Sequence, residues 1–535
     1  MSSLGSSTRA MALGTLASRG TGFLRTAVIA SVLGVYGVGT AYNVANTTPN
    51  IVYELLLGGI LTSVVVPLLV RAAKEDEDGG QAYAQRLLTL TVLVLGAAAV
   101  VLVLGAPLLI DLYAGDLDPQ SRELAIVFAR FFLPQILFYG AGAVLGAVLN
   151  TRGRYAPPMW APVLNNLVVI GTGLAFLVVR GRAELTPESL TTAQVALLGL
   201  GTTLGIVAQT VALVPALRSA GFSLRLRRDL RGVGLRRVGS LAKWVLLYVV
   251  ANQVAYLVVV RLSSEEALVA LGRGYASYVY AFVLWQLPHA IVAVSVITAL
   301  LPRMSRAAAD GRWEDLRGSL DHGLRLTVCV LVPAAAAFLV LGREIATVVF
   351  ARGEISIADA RFIGVLLGIF AVGLVPFSTY QLQLRAFYAM QDTRTPTLVN
   401  LGVNATLVVV DVTLYLLLPD ELKVVGLAAG HACSFIAGLG ICSLVLSRRL
   451  GGLDGTAVVR TAVRCVTAVL VPALLALALA SATTRTIGAG PLGAAVALLL
   501  GGGVLGAGYV LIGRRLRVAE IDEVAGPVLR RVGLR

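Results

Sequence analysis

Two arginines lie deep inside the first long apolar segment of the chain. Arg19 and Arg25 stand 8 and 14 residues into segment 11–36, far from either end. On a helix, six residues separate them by about 9 Å along the axis and roughly 120° around it, so both can line a wide cavity. Because a guanidinium donates bidentately to oxyanions, the pair suits a phosphate-bearing or otherwise anionic substrate. The alternative is structural, with one or both arginines paired to Glu54 or to backbone carbonyls.

Two acidic residues also interrupt apolar segments. Glu54 follows Pro49-Asn50 midway through segment 40–70, where it could neutralise an arginine of the first segment or take part in ion coupling. Asp411 lies in VVVDVTLY, where it could bind a coupling cation or proton, or be a buried hydrogen-bonding group. Ionisable groups at membrane depth are costly and usually face a cavity or a partner.

The second apolar segment is unusually polar around its proline. Its amides and hydroxyls suggest that one face lines water, and we add Asn50 to the candidate substrate site for that reason. These residues are Asn43, Asn46, Thr47, Thr48 and Asn50.

The composition indicates the elements that must hold these groups. The 535 residues are 57% hydrophobic and 14% charged, with a mean hydropathy of +0.85. A soluble domain has about 25% charged residues. These values exclude a disordered chain, a disulfide scaffold and a nucleic-acid-binding domain, despite a net charge of +15. Because no metal-ligand spacing, P-loop or hydrolase motif is evident, the sequence predicts no enzyme, metal site or cofactor.

Fourteen apolar segments predict an all-α polytopic membrane protein, because helices satisfy their own backbone hydrogen bonds in lipid. With a cytoplasmic N-terminus, 30 Lys and Arg residues fall inside and 10 outside, which predicts that both termini are cytoplasmic. The segments are 11–36, 40–70, 87–113, 123–149, 156–179, 191–217, 240–260, 274–302, 323–342, 359–389, 396–418, 422–446, 457–480 and 488–513.

The two halves of the chain resemble each other. Pro49 and Pro288 each interrupt a long helix, at an offset of 239 residues, and we predict them to be hinges. Asn165 and Asn404 share that offset. Six helices between copies preserve orientation in the membrane, which is typical of two-lobed alternating-access transporters.

This repeat predicts four regions. They are an N-terminal six-helix lobe at 1–218, a basic amphipathic linker at 219–239, a C-terminal six-helix lobe at 240–450, and two extra helices with a basic cytoplasmic tail at 451–535. The linker either lies on the anionic inner leaflet or is a solvated connector.

Four stretches resemble the MurJ/MviN lipid II flippases, of the multidrug/oligosaccharidyl-lipid/polysaccharide exporter superfamily. They are SRGTGFLRTAVIASVLG (18–34), the Pro49-Asn50 helix ending in VPLL (66–69), LNTRGRYAPPMWAPVLNN (149–166) and FYAMQDTRTP (387–396). The resemblance implies a protein of the bacterial plasma membrane that moves lipid-linked peptidoglycan precursor from the inner to the outer leaflet. It also implies a central cavity, alternating access, drive by ions or membrane potential, and fourteen helices as six, six and two. The family's two first-helix arginines fall on Arg19 and Arg25.

Several charges typical of that family are replaced in this sequence. The replacements lie at or near Thr26, Thr40, Tyr53, Phe282 and Met390. A multidrug exporter or an exporter of another polyprenyl-linked glycan therefore remains an alternative within the superfamily. A third alternative is a membrane scaffold that recruits cell-wall synthesis enzymes. The expected partners are the anionic lipid-linked glycan precursor, membrane lipids and such enzymes, with no nucleic acid.

Overall fold

The structure, a computed structural model, describes residues 2–55, 66–229, 239–453 and 455–531. Within these ranges the regular structure is helical and contains no strand. This agrees with a chain whose apolar segments must satisfy their backbone hydrogen bonds internally. The predicted all-α membrane fold is confirmed.

The chain divides into two compact units, and the first comprises residues 1–270 together with 274–276. The helices described in it are α1 Ser2–Leu33, α2 Gly37–Tyr53, α3 Val66–Glu75, α4 Gln81–Leu104, α5 Ala106–Ala114, α6 Pro119–Phe132, α7 Gln135–Thr151, α8 Ala156–Arg180, α9 Thr192–Val211, α10 Leu213–Ser219, α11 Gly239–Ser263 and α12 Glu266–Ala270.

The second unit comprises residues 271–273 and 277–535. Its helices are α13 Tyr275–Pro288, whose first two residues belong to the first unit, a π-helical turn His289–Ala293, α14 Val294–Ala309, α15 Trp313–Phe350, α16 Ile357–Val372, α17 Leu374–Ala389, α18 Arg394–Leu417, α19 Asp420–Arg449, α20 Gly455–Thr486, α21 Pro491–Arg515 and α22 Ala519–Arg531.

The predicted count of fourteen spans is not confirmed. Among the described residues, 11 helices are long and apolar enough to cross a membrane, or 12 if α16 and α17, bent by 46°, form one span. These correspond to the third through fourteenth predicted segments. The first two predicted segments contain α1 and α2, which are absent from this set, and residues 56–65 of the second lie outside the described part.

Aromatic packing organises the start of the first unit. The Tyr42 ring on α2 meets Phe128 and Phe132 on α6 edge-on, with centroids 5.6 and 5.3 Å apart. Its hydroxyl lies 2.7 Å from the Thr202 hydroxyl on α9, so the buried phenol is satisfied. These contacts hold α2, which carries Pro49 and Asn50, against α6 and α9.

The beginning of the predicted linker is an extended strip on α4. The Gln85 amide donates to the Ser223 carbonyl at 2.6 Å, and the Arg227 backbone N–H donates to the Thr89 hydroxyl at 2.9 Å. Arg86 pairs with Asp229 at 2.8 Å. Residues 222–229 therefore lie fixed along this helix, while 230–238 of the predicted linker fall outside the described residues.

Helix α11 belongs with the first unit in the structure, although the predicted C-terminal lobe begins at 240. Arg261 pairs with Asp116 at 2.8 Å and donates to the backbone carbonyl of Asp111. The Glu266 backbone N–H donates to the Asp116 carbonyl at 2.9 Å. The boundaries of the four predicted regions stay a prediction.

In the second unit, the last helices pack on α15. The Tyr509 hydroxyl on α21 donates to the Cys329 carbonyl on α15 at 2.6 Å. Helix α22 docks through charge pairs, since Glu520 meets Arg325 at 3.2 Å and Asp522 meets Arg514 at 2.8 Å. The C-terminal tail, which is predicted to be basic, thus also carries acidic groups that pair with Arg325 and Arg514.

Candidate functional site

The segment of α1 that carries both arginines is held by α8. The Asn166 amide donates to the Ser18 carbonyl at 3.1 Å and to the Thr21 hydroxyl at 3.0 Å. A Cβ added at Gly22 would lie 3.4 Å from the Asn166 amide, which is an ordinary van der Waals contact. Asn166 belongs to the 149–166 motif, so that motif positions the helix turn between Arg19 and Arg25.

Arg19 and Arg25 are half-buried, and neither forms an ion pair within the described residues. The predicted pairing with Glu54 is not present there. Unpaired guanidiniums are costly in hydrocarbon, so this arrangement favours contact with water or an anion. Sequence reasoning selected both arginines, and their role stays a prediction.

Tyr42 and Tyr139 lie within the electrostatic field of Arg25. The guanidinium acts on both hydroxyls, and the Asn50 side chain lies within hydrogen-bonding reach of the Tyr139 hydroxyl. The Tyr53 ring packs on Tyr139 at a centroid distance of 5.8 Å. The structure therefore brings Arg25 of α1, Asn50 of α2 and Tyr139 of α7 to one place, which we call the Arg25 cluster.

A series of hydrogen bonds holds Tyr139 of the Arg25 cluster in position. The Tyr139 hydroxyl donates to Gln135 Oε1 at 3.2 Å, and Gln135 Nε2 donates to the Thr203 hydroxyl at 3.0 Å. The Thr203 hydroxyl donates in turn to the Phe131 carbonyl at 2.7 Å. The Gln135 side chain thus accepts through its carbonyl oxygen and donates through its amide nitrogen, which fixes the orientation of this buried amide.

Asn50 and Glu54 are both exposed, although they lie in the interior of the second apolar segment. They are separated by four residues and so face the same side of a helix. Exposed polar groups at that place in a membrane segment favour a water-filled space beside them. That one face of the segment lines water stays a prediction, and Thr48 of the predicted set is buried.

Both predicted hinge prolines are followed by π-helical backbone, which begins directly after Pro288 and five residues after Pro49. Glu54 and Leu55 have this geometry after Pro49, and His289–Ala293 form a π-helical turn after Pro288. A proline lacks the amide hydrogen of a regular helix, and wide turns of this kind often occur at functional sites. The match supports the repeat, while hinge motion at the two positions stays a prediction.

Asp411 is completely buried, and neither of its carboxylate oxygens has a hydrogen-bond partner in the described residues. It lies against Gly430 of α19, where an added Cβ would be 1.9 Å from Oδ1. The predicted alternative is that Asp411 is a buried hydrogen-bonding group, and the described residues supply no hydrogen-bond partner for it. Asp411 belongs to the second unit, whereas the residues of the Arg25 cluster belong to the first.

The FYAMQDTRTP motif forms a local structural junction. Asp392 accepts hydrogen bonds from the Thr395 backbone N–H at 3.0 Å and hydroxyl at 2.6 Å, and it pairs with Arg449 at the end of α19. Partial burial opposes ionisation, but these hydrogen bonds outweigh it and hold the pKa of Asp392 below its ordinary value. This part of the motif connects the start of α18 to the end of α19.

Sequence reasoning missed Tyr139 and Gln135. Both are neutral and lie in the apolar segment 123–149, so they do not stand out as charges do. Their spacing of four residues was the available signal, because it places them on one helix face. Among the described residues, no group of three or more His, Cys, Asp and Glu side chains could hold a metal ion.

Comparisons with known proteins agree on one family. A family model described as Lipid II flippase MurJ matches residues 29–497. The probable lipid II flippase MurJ of Rhizobium meliloti (strain 1021) is 28% identical over 428 residues, which cover 78% of this chain and 76% of the relative. The lipid II flippase MurJ of Burkholderia cenocepacia is 28% identical over 439 residues, covering 80% of each chain.

Solved structures show the same fold. A lipid II flippase MurJ in an inward closed conformation matches with a TM-score of 0.74 and 18% identity, covering 95% of this chain and 99% of the other. An inward-facing multidrug resistance MATE family transporter of the MOP superfamily matches with a TM-score of 0.66 and 16% identity, covering 82% and 96%. Because the family model covers most of the sequence, this multi-pass membrane protein belongs to the lipid II flippase MurJ family.

Proposed function

We propose that this chain is a flippase that moves lipid II from the inner to the outer leaflet by alternating access. The observation that carries this proposal is that two guanidiniums in the first helix lack ion pairs among the described residues. The Arg25 guanidinium also acts electrostatically on the Tyr139 hydroxyl, which lies within hydrogen-bonding reach of Asn50. A pyrophosphate-bearing headgroup supplies the negative charge that such a site lacks. Membership in the family supports the same cargo.

Arg19 and Arg25 would bind the pyrophosphate from two heights of the first helix. Bidentate donation fixes the orientation of a phosphate group as well as attracting it. Asn50 adds a neutral amide donor from α2. Pro49 and Pro288 would let the corresponding helices bend as the two lobes exchange access between the leaflets.

Asp411 and Glu54 are the proposed coupling groups. A buried carboxylate without partners is unfavourable, so Asp411 would take up a proton or a small cation as part of the cycle. Glu54 is exposed near the Arg25 cluster and would exchange its counter-ion with the passing substrate. Both roles require the ion gradient or the membrane potential to drive transport.

We further propose that the protein lies in the bacterial plasma membrane with both termini in the cytoplasm. The threefold excess of basic residues in the predicted inner loops supports this orientation. Cell-wall synthesis enzymes are proposed as partners, because they make and consume the precursor.

The proposal is tested in cells depleted of their native flippase. We expect Arg19→Ala and Arg25→Ala to abolish rescue at normal protein levels, and the corresponding Lys variants to retain part of it, since lysine keeps the charge but loses the fork. Arg306→Ala, at an exposed arginine of α14, serves as the matched control and should rescue. Full rescue by both alanine variants would reject the transport site and favour the scaffold alternative.

An exporter of drugs or of another polyprenyl-linked glycan is the second candidate. It is favoured by the family-typical arginines that this chain lacks near Tyr53 and Phe282. Native mass spectrometry of the purified protein separates the candidates, because the flippase should retain lipid II. Retention of a different glycan lipid, with none of lipid II, would favour the exporter.

A further inference from the structure

Tyr139 is the member of the Arg25 cluster that comes from α7, a helix that carries none of the predicted site residues. Its ring is fixed against Tyr53, and its hydroxyl lies in the field of Arg25 within reach of Asn50. The residue is polar, oriented and next to the charge that would attract a phosphate.

The present hydrogen bond of the Tyr139 hydroxyl is a weak one. It donates to Gln135 Oε1 at 3.2 Å, whereas O–H···O bonds are usually about 2.7–2.8 Å long. The Gln135 amide is itself held by Thr203, so it cannot follow the hydroxyl. An anionic oxygen is a stronger acceptor than a neutral amide carbonyl, and a phosphate beside Arg25 would compete successfully for this donor.

We infer that Tyr139 is a further substrate-binding residue, whose hydroxyl donates to a phosphate oxygen of the polyprenyl pyrophosphate that Arg25 attracts. This inference rests on the proposed function. Gln135 is then a positioning residue, since it holds the hydroxyl towards the cluster until the substrate arrives. No covalent bond is made or broken in this exchange of hydrogen-bond partners.

A purely structural role makes a different prediction. If Tyr139 only packs α7 on α2, the ring carries that role and Tyr139→Phe preserves it. If the hydroxyl contacts the substrate, the same variant weakens binding of phosphate-bearing lipid alone. Tyr83→Phe, in α4 of the same unit, is a matched control because it removes a hydroxyl elsewhere.

The experiment measures binding of lipid II and of a polyprenol without phosphate to the purified full chain, by titration in native mass spectrometry. Because a hydrogen bond to a charged group is lost, we expect Tyr139→Phe to weaken lipid II binding about tenfold or more, with polyprenol binding unchanged. Tyr83→Phe should bind both lipids like the wild type.

Arg25→Ala separates failure of this inference from failure of the proposed function. Wild-type binding by Tyr139→Phe, together with loss of binding by Arg25→Ala, overturns the role of Tyr139 alone. Wild-type lipid II binding by both variants overturns the anionic site itself. In the double variant, Tyr139→Phe should add little to Arg25→Ala, since both act on one phosphate, and fully additive losses would contradict the inference.

Discussion

At the scale of single residues, the two halves of the chain make the same contact with different chemistry. Thr172 and Asp411 are related by the offset of 239 residues, and each packs on a glycine of the following helix. An added Cβ at Gly201 would be 2.3 Å from the Thr172 hydroxyl, as one at Gly430 would be 1.9 Å from Asp411. The threonine donates to the Val168 carbonyl at 2.9 Å, whereas the aspartate lacks a partner in the described residues. Packing therefore does not require the carboxyl.

Replacing Asp411 by the threonine of the first half tests whether the carboxyl couples transport to ions. We expect Asp411→Thr to fold with equal or higher thermal stability, because it removes an unsatisfied buried group and its hydroxyl can donate to a carbonyl four residues earlier. Transport should lose its response to ionophores that collapse the ion gradients. The measurements are the melting temperature and flipping in vesicles.

Thr413→Val, at an exposed threonine of the same helix, is the control and should leave the ionophore response intact. A wild-type response in Asp411→Thr would exclude Asp411 from coupling.

The sequence identified residues whose charge contrasts with their surroundings. Arg19, Arg25 and Asp411 stand out because an ionised group in an apolar membrane segment is energetically costly and usually faces a cavity or a partner. Tyr139 does not, since a tyrosine is common in membrane helices and its role depends on which face of α7 turns towards α1. That orientation arises from tertiary packing, which no single segment encodes.

At the scale of helices, α15 and α16 approach so closely that their backbones touch. An added Cβ at Gly364 would be 2.4 Å from the Arg343 Cα and 2.5 Å from the Gly342 carbonyl oxygen. Neither atom belongs to a flexible side chain. Small residues of this kind let membrane helices pack by van der Waals contact.

Gly364→Ala should destabilise the protein, because the added methyl group can be accommodated only if the two helices separate. Overpacking of this type costs about 1–3 kcal/mol or more. We expect a lower melting temperature of the purified protein. Gly440→Ala is the control, since nothing lies within 4 Å of its added Cβ, and an equal drop in both variants would contradict the interpretation.

Helices were predicted better than the connections between them. The later twelve apolar segments correspond to helices that are long and apolar enough to cross a membrane, with α16 and α17 counted as one bent span. The strip 222–229 was foreseen only as a basic amphipathic linker. Its extended path depends on Gln85 and Thr89, more than 130 residues earlier in the chain, and local patterns carry no information on such pairing.

At the scale of the whole molecule, the proposed orientation can be measured by labelling. Glu77 and Glu184 are exposed in loops that the proposed topology puts on opposite sides of the membrane. In a Cys433→Ser background, a membrane-impermeant maleimide should label Glu184→Cys in intact cells and Glu77→Cys only after permeabilisation. Cys433 is replaced because it is the exposed native cysteine of the described part. The opposite pattern would invert the topology.

The strip 222–229, which is bound to α4, limits how far the start of α11 can move from α4 during a transport cycle. The chain is bound to α4 as far as Asp229 and enters α11 at Gly239. Even fully extended, this remaining tether spans at most about 36 Å. While the strip stays bound to α4, the start of α11 can move no farther than this distance from the end of the strip. The contacts of Gln85 and Arg86 with the strip therefore set the limit of this movement.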